Sequence, residues 1–161
     1  MNRKRGFSSM FRSSPPQAPM SLMFLGIIPF IASAGAMVVW RDDIALMITA
    51  ATWLMVYGAV ILSFLGGVRW GVEIAKRERP RFAELVPSVL GALAGWTLVL
   101  VTFRYGVQLW TVVAMAAALA LHYFYDLVSP EVPRWYRQMR VWPTLGAVLS
   151  LAVAYFLLSR S

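Results

Sequence analysis

Cysteine is absent from this sequence, and His122 is its only histidine. Disulfides, thiolate nucleophiles and iron–sulfur ligation are therefore excluded. So is a zinc site assembled from several His or Cys ligands. Charge is also scarce. Of 161 residues, 14% are charged and 60% hydrophobic, with mean hydropathy +0.66. Soluble domains run at about 25% charged and about 45–50% apolar. So few charges cannot cover the surface of a small soluble fold, which excludes a disordered chain, a coiled coil and almost any soluble enzyme. No Asp, Glu, Lys or Arg lies near the middle of any long apolar stretch. Ionisable groups at that depth mark ion and proton pathways, and their absence argues against a pump or secondary transporter. There is also no HExxH metalloprotease motif.

What remains is apolar sequence in blocks of similar length. A bilayer core about 30 Å thick needs about 20 helical residues. Uncharged stretches at 20–40, 44–68, 85–103, 106–125 and 141–158 meet that requirement. The expected fold is all-α: a polytopic bundle of five transmembrane helices spanning 20–161. Residues 1–19 carry Arg3, Lys4, Arg5, Arg12 and Pro15-Pro16 without apolar periodicity, and are expected to form a disordered, basic cytoplasmic tail. Short connections make sequence neighbours antiparallel and leave no room for an extramembrane domain.

The basic residues set an expected orientation. With the N-terminus inside, all of the 15 Lys and Arg residues except Arg41, Arg104 and Arg160 fall on the cytoplasmic side. That bias predicts an N-in, C-out topology. It also gives the net charge of +8 a use that needs no nucleic acid, namely contact with anionic lipid headgroups. Ala32-Ser33-Ala34 resembles a signal-cleavage site. The apolar run continues to Trp40, however, longer than a signal core of about 7–15 residues, so the first span is expected to stay.

Three groups of residues are candidates for function. The first is polar: Arg69 and Glu73 on the second span, four apart and within ion-pair reach, with His122 and Asp126 at the end of the fourth. Arg69 either snorkels to the headgroups or faces a cavity, where a carboxylate from Glu73 or Asp126 offsets its desolvation. His122 and Asp126 are expected to share a hydrogen bond, structural in one reading and a proton or ligand site in the other. The second group is a small-residue face, Ala59, Ser63, Gly67 and Gly71, continued by Gly91 and Gly95 on the third span. Such faces let helices approach closely in lipid. The third is an interfacial loop, Arg134, Trp135, Tyr136, Arg137 and Arg140, expected to form a short helix with its arginines toward phosphates. No cofactor is expected, because the nine methionines read as gap-fillers among apolar helices.

The string YGAVILSFLGGVRWG at 57–71 resembles the signature of the transmembrane-protein-69-like family, a bacterial and mitochondrial membrane family of unknown function. The segment at 20–30, ending Ile28-Pro29-Phe30, is similar to that family's opening helix, and Pro133-Arg134-Trp135-Tyr136 with Arg140 to its last loop. Val141-Trp142-Pro143 departs from the family's Leu-Thr at that place. The resemblance covers about residues 19–158. It implies a small multi-span protein of a bacterial inner membrane and carries over no catalytic residue. The expected activity is non-enzymatic: an accessory, assembly or scaffold protein with a membrane-protein partner or a second copy of itself. The rival is a small carrier, channel or lipid-binding protein with a cytoplasmic-side polar site.

Overall fold

The computed structural model describes residues 17–160. They form six helices: α1 (Gln17–Val39), α2 (Ile44–Lys76), α3 (Phe82–Tyr105), α4 (Leu109–Val128), α5 (Arg134–Met139) and α6 (Val141–Leu158). Five segments are long and apolar enough to cross a membrane, the last comprising α5 and α6 together. The basic segment expected at 1–19 lies outside the described residues up to residue 16, and Gln17, Ala18 and Pro19 form the start of α1.

Local chemistry accounts for the boundaries. Asp43 caps α2, its side chain accepting from Leu46 N at 3.1 Å, which satisfies an otherwise unpaired amide of the first turn. Gly106 ends α3 with φ of 78°, a backbone state that side chains disfavour. That state permits the tight reversal into α4. The second span was expected to end at residue 68, but α2 continues to Lys76. At 1.5 Å per residue its 33 residues extend about 50 Å, against a hydrocarbon core of about 30 Å. The helix therefore projects beyond the apolar layer, and the projecting turns carry its charged residues.

α2 is the central element. It packs on α3 along one side and α1 along the other, and α6 closes the bundle between α1 and α4. Met37, Met47, Leu54, Met55, Leu62, Met115 and Leu151 are fully buried at the centre. The flexible methionines fill irregular gaps between helices. Tyr57 joins α2 to α1, donating to the Gly26 carbonyl at 2.8 Å with its ring edge-on to Phe30. The outer surface is apolar: Phe24, Ile31, Phe64, Trp96, Val113 and Leu149 are among many exposed large side chains. Continuous apolar exposure of this kind suits lipid rather than water.

The small-residue face is not the contact that the four-residue spacing suggests. α2 meets α3 through Ala59 against Gly95, the Leu62 carbonyl against Gly91, and Gly66 against Ser88. A Cβ on Gly66 would lie 2.0 Å from the Ser88 carbonyl oxygen. Ser63 is exposed, and no described atom beyond the helix's own backbone lies within 4 Å of where a Cβ on Gly67 or Gly71 would stand. The cause is helical geometry. At 3.6 residues per turn, a strict four-residue repeat drifts about 40° per step. Between Ala59 and Gly71 the stripe turns by about a third of a revolution. It leaves the interface, which follows alternating steps of three and four through Ala59, Leu62 and Gly66.

Candidate functional site

Four helix ends converge at one pole of the bundle: the last turns of α2, the first turns of α3 and α6, and the end of α4. Antiparallel packing places them together, and the charged side chains excluded from the spans collect there.

The inner part centres on Arg69 and Asp126, 4% and 0% exposed. Arg69 does not snorkel outward. Its Nη1 donates to Ser129 Oγ at 2.9 Å and lies 3.8 Å from Asp126 Oδ1. Its Nη2 lies 3.4 Å from Glu84 Oε2, and its guanidinium stacks 4.2 Å above the Tyr125 ring. Tyr125 Oη donates to the same Glu84 oxygen at 2.9 Å. Asp126 also takes Arg140, whose Nε approaches Oδ2 at 3.3 Å. One buried carboxylate thus faces two guanidinium groups.

Glu73 sits apart. It is 2% exposed and binds Arg77 rather than Arg69, together with the Arg81 backbone N–H at 2.7 Å. Ion pairing along α2 therefore runs outward from Glu73, while Arg69 turns across to α4. Glu131, in the α4–α5 loop, ties the layer together. It accepts from Arg77 at 2.9 Å, Arg81 at 3.1 Å and Lys76 at 3.2 Å. The hydrogen bonds from Arg77 and Lys76 hold its carboxyl down from 4.5 to about 2. Lys76 also donates to the Glu131 carbonyl.

Two expectations need correcting here. His122 and Asp126 share no hydrogen bond. Nδ1 is 3.7 Å from Oδ2, and neither ring nitrogen has a hydrogen-bond partner among the described residues. Arg140 takes Oδ2 instead, while Oδ1 has Arg69 at 3.8 Å and no hydrogen-bond partner among the described residues. Arg140 does not point to phosphates with the rest of its loop, since it is 6% exposed and turned inward to Asp126. Arg134 is exposed, and Arg137 donates to the Leu127 carbonyl at 3.1 Å. Trp135 and Tyr136, half-buried, stack edge to face with ring centroids 6.0 Å apart.

Sequence reasoning passed over Glu84, Tyr125, Ser129 and Glu131. A partial signal was present, because a buried Arg69 requires anionic partners and carboxylates are few. The space between Arg69, Val72, Glu73, Glu84 and Glu131 has no room for a water molecule, so the inner part of the network is dry, while Lys76 and Arg81 at its outer edge are exposed. Among the described residues no set of His, Asp or Glu side chains groups as metal ligands.

The protein family described as "Protein of unknown function (DUF3429)" matches residues 15–156. The chain belongs to the DUF3429 family. Similar curated proteins are named transmembrane protein 69. The mouse protein (Mus musculus) is 31% identical over 96% of this chain and 62% of its own length. The frog protein (Xenopus tropicalis) is 35% identical over 84% of this chain and 53% of its own length. The chain thus spans a little over half the length of these relatives. No solved structure matches it. Membership agrees with the resemblance carried by residues 57–71, and the DUF3429 fold seen here is a multi-pass membrane bundle.

Proposed function

We propose that this DUF3429 protein is a non-enzymatic accessory or assembly protein that works by docking a partner helix in the membrane. The observation that carries the reading is the vacant small-residue ridge on α2. Ser63 and Gly67 are exposed, and Gly67 and, in the projecting turns beyond it, the half-buried Gly71 have open space where a Cβ would stand. In lipid, such a ridge allows close backbone approach by another helix. The lack of ionisable residues near the middle of the spans supports docking over transport, because such groups mark ion and proton pathways. The partner is a membrane protein or a second copy of this chain. Anionic headgroups meet the exposed basic residues, among them Arg79 and Arg134, at the polar pole.

The N-in, C-out orientation belongs to the same proposal and rests on the bias of basic residues. Residence in a bacterial inner membrane rests on the family resemblance, while the two relatives compared above are vertebrate.

The test is gentle extraction followed by crosslinking mass spectrometry on wild type, Gly67→Ile and Gly71→Ile. The expected result is a crosslinked helix in the wild type that both variants lose while keeping the intramolecular α2–α3 crosslinks. A solitary monomer in the wild type, or an unaltered partner in both variants, overturns the reading.

A further inference from the structure

The packing of α1 changes at Pro29. Beyond it, Phe30, Ser33, Ala34 and Met37 are buried along one face, and steps of three and four keep that face turned into the bundle. Before it, Ile27 is the one buried residue between Gln17 and Ile28. The same face runs back through Gly26, Met23 and Pro19, again in steps of three and four. Those three residues are half-buried, and they line a cavity of about 450 Å³ rather than a packed neighbour. Phe64, Leu65 and Val68 of α2 form part of its other wall. Leu22 and Phe64, which also line it, are 67% and 64% exposed, so the cavity opens to the side of the bundle.

The junction between the two halves has the chemistry of a hinge. Pro29 has no N–H to offer the Leu25 carbonyl, and its ring crowds that carbonyl. Proline is the usual cause of a bend in a long helix. Three contacts gather in the same turn. Tyr57 Oη donates to the Gly26 carbonyl at 2.8 Å, Ile27 sits against Gly146 of α6, and the Phe30 ring meets the Tyr57 ring edge-on. They hold the pivot in place. The turns before it have an inward face without a packed neighbour, and side chains facing a gap forgo dispersion contacts. Movement of those turns toward α2 recovers such contacts without disturbing the packed half.

We propose that residues 17–25 form a lid that pivots at Pro29 and closes on α2. The structure shows it open, held there by the Tyr57–Gly26 hydrogen bond. Closure brings Pro19 and Met23 toward Phe64 and Val68 and narrows the cavity.

Distance measurements between spin labels on the full chain in lipid nanodiscs test this. The chain has no cysteine, so labels attach only where cysteines are introduced. Ser21→Cys with Leu90→Cys pairs the lid with the outer face of α3, and Val38→Cys with Leu100→Cys is the control in the packed half. All four positions are exposed. The control pair is expected to give one narrow distance, and the lid pair two, the second shorter. Pro29→Ala, which restores a helical N–H, is expected to remove the shorter distance. Tyr57→Phe is expected to raise its population about fivefold relative to the longer one, as the loss of one hydrogen bond allows. A lid pair as narrow as the control overturns the proposal. So does a second distance longer than the first, or one that either Pro29→Ala or Tyr57→Phe leaves unchanged.

Discussion

Arg69 shows how one buried charge organises its surroundings. A guanidinium out of water is stable only with its anions in place, and here Asp126, Glu84, Ser129 and the Tyr125 ring enclose it. Removing it leaves Asp126 with Arg140 as its one arginine partner and Glu84 with Tyr125 and the exposed Arg81. Arg69→Ala is therefore expected to destabilise the bundle by about 3 kcal/mol or more, read by equilibrium unfolding in detergent. Arg41→Ala and Arg104→Ala are expected to change little, since both residues are exposed and the Arg41–Asp42 pair is solvated. Complex formation should follow the same order. Adjacent glycines give a second contrast. Gly66→Ala drives a Cβ into the Ser88 backbone, where no side chain can give way, and is expected to cost about 1–3 kcal/mol or more. Gly67→Ala meets nothing and gains helix propensity of about 1 kcal/mol. Thermal unfolding of the two variants should move in opposite directions.

At the level of elements, the α4–α5 loop is held to the end of α2 by one carboxylate with three cationic partners. The Glu131 carboxyl lies near 2 in the folded protein against 4.5 ordinarily. A depressed carboxylate contributes stability above its unfolded value and loses it as pH falls toward its folded value. Docking of this loop should be at full strength above about pH 4.5 and weaken steadily as pH falls toward 2. The difference in unfolding midpoint between wild type and Glu131→Gln, followed across that window, should shrink toward zero at the acid end. A constant difference would assign the loop's position to packing instead. The α2–α3 pair is the other element-level device. Its close approach comes from Gly66 and Gly95, so this helix contact depends on two missing side chains.

For the whole molecule, the five spans and the skewed basic residues make a definite topological prediction. A reporter active only in the cytoplasm, fused after Ser161, should be silent, and one active only outside should be active. The reverse pattern excludes N-in, C-out. The same scale separates the two poles. The polar pole carries four carboxylates in contact with five cations, whereas the opposite pole has Arg41, Asp42 and Asp43 between α1 and α2, Arg104 in the last turn of α3 and Arg160 after α6.

Much of this architecture was legible in the residue order. Span number and approximate length follow from the bilayer, because a backbone in lipid must satisfy its hydrogen bonds within each helix, and the apolar blocks needed for that are contiguous. Arg69, His122 and Asp126 were recognisable as unusual because charge and imidazole are so rare beside these spans. Only the tertiary structure decided their partners. Arg69 turned from nearby Glu73 to Asp126, Arg140 left its loop for the same carboxylate, and Glu131 crossed to α2. Those choices join residues far apart in the chain, and they depend on which helix faces meet. The strict four-residue stripe misjudged that facing, because a helix of 3.6 residues per turn carries such a stripe away from its neighbour.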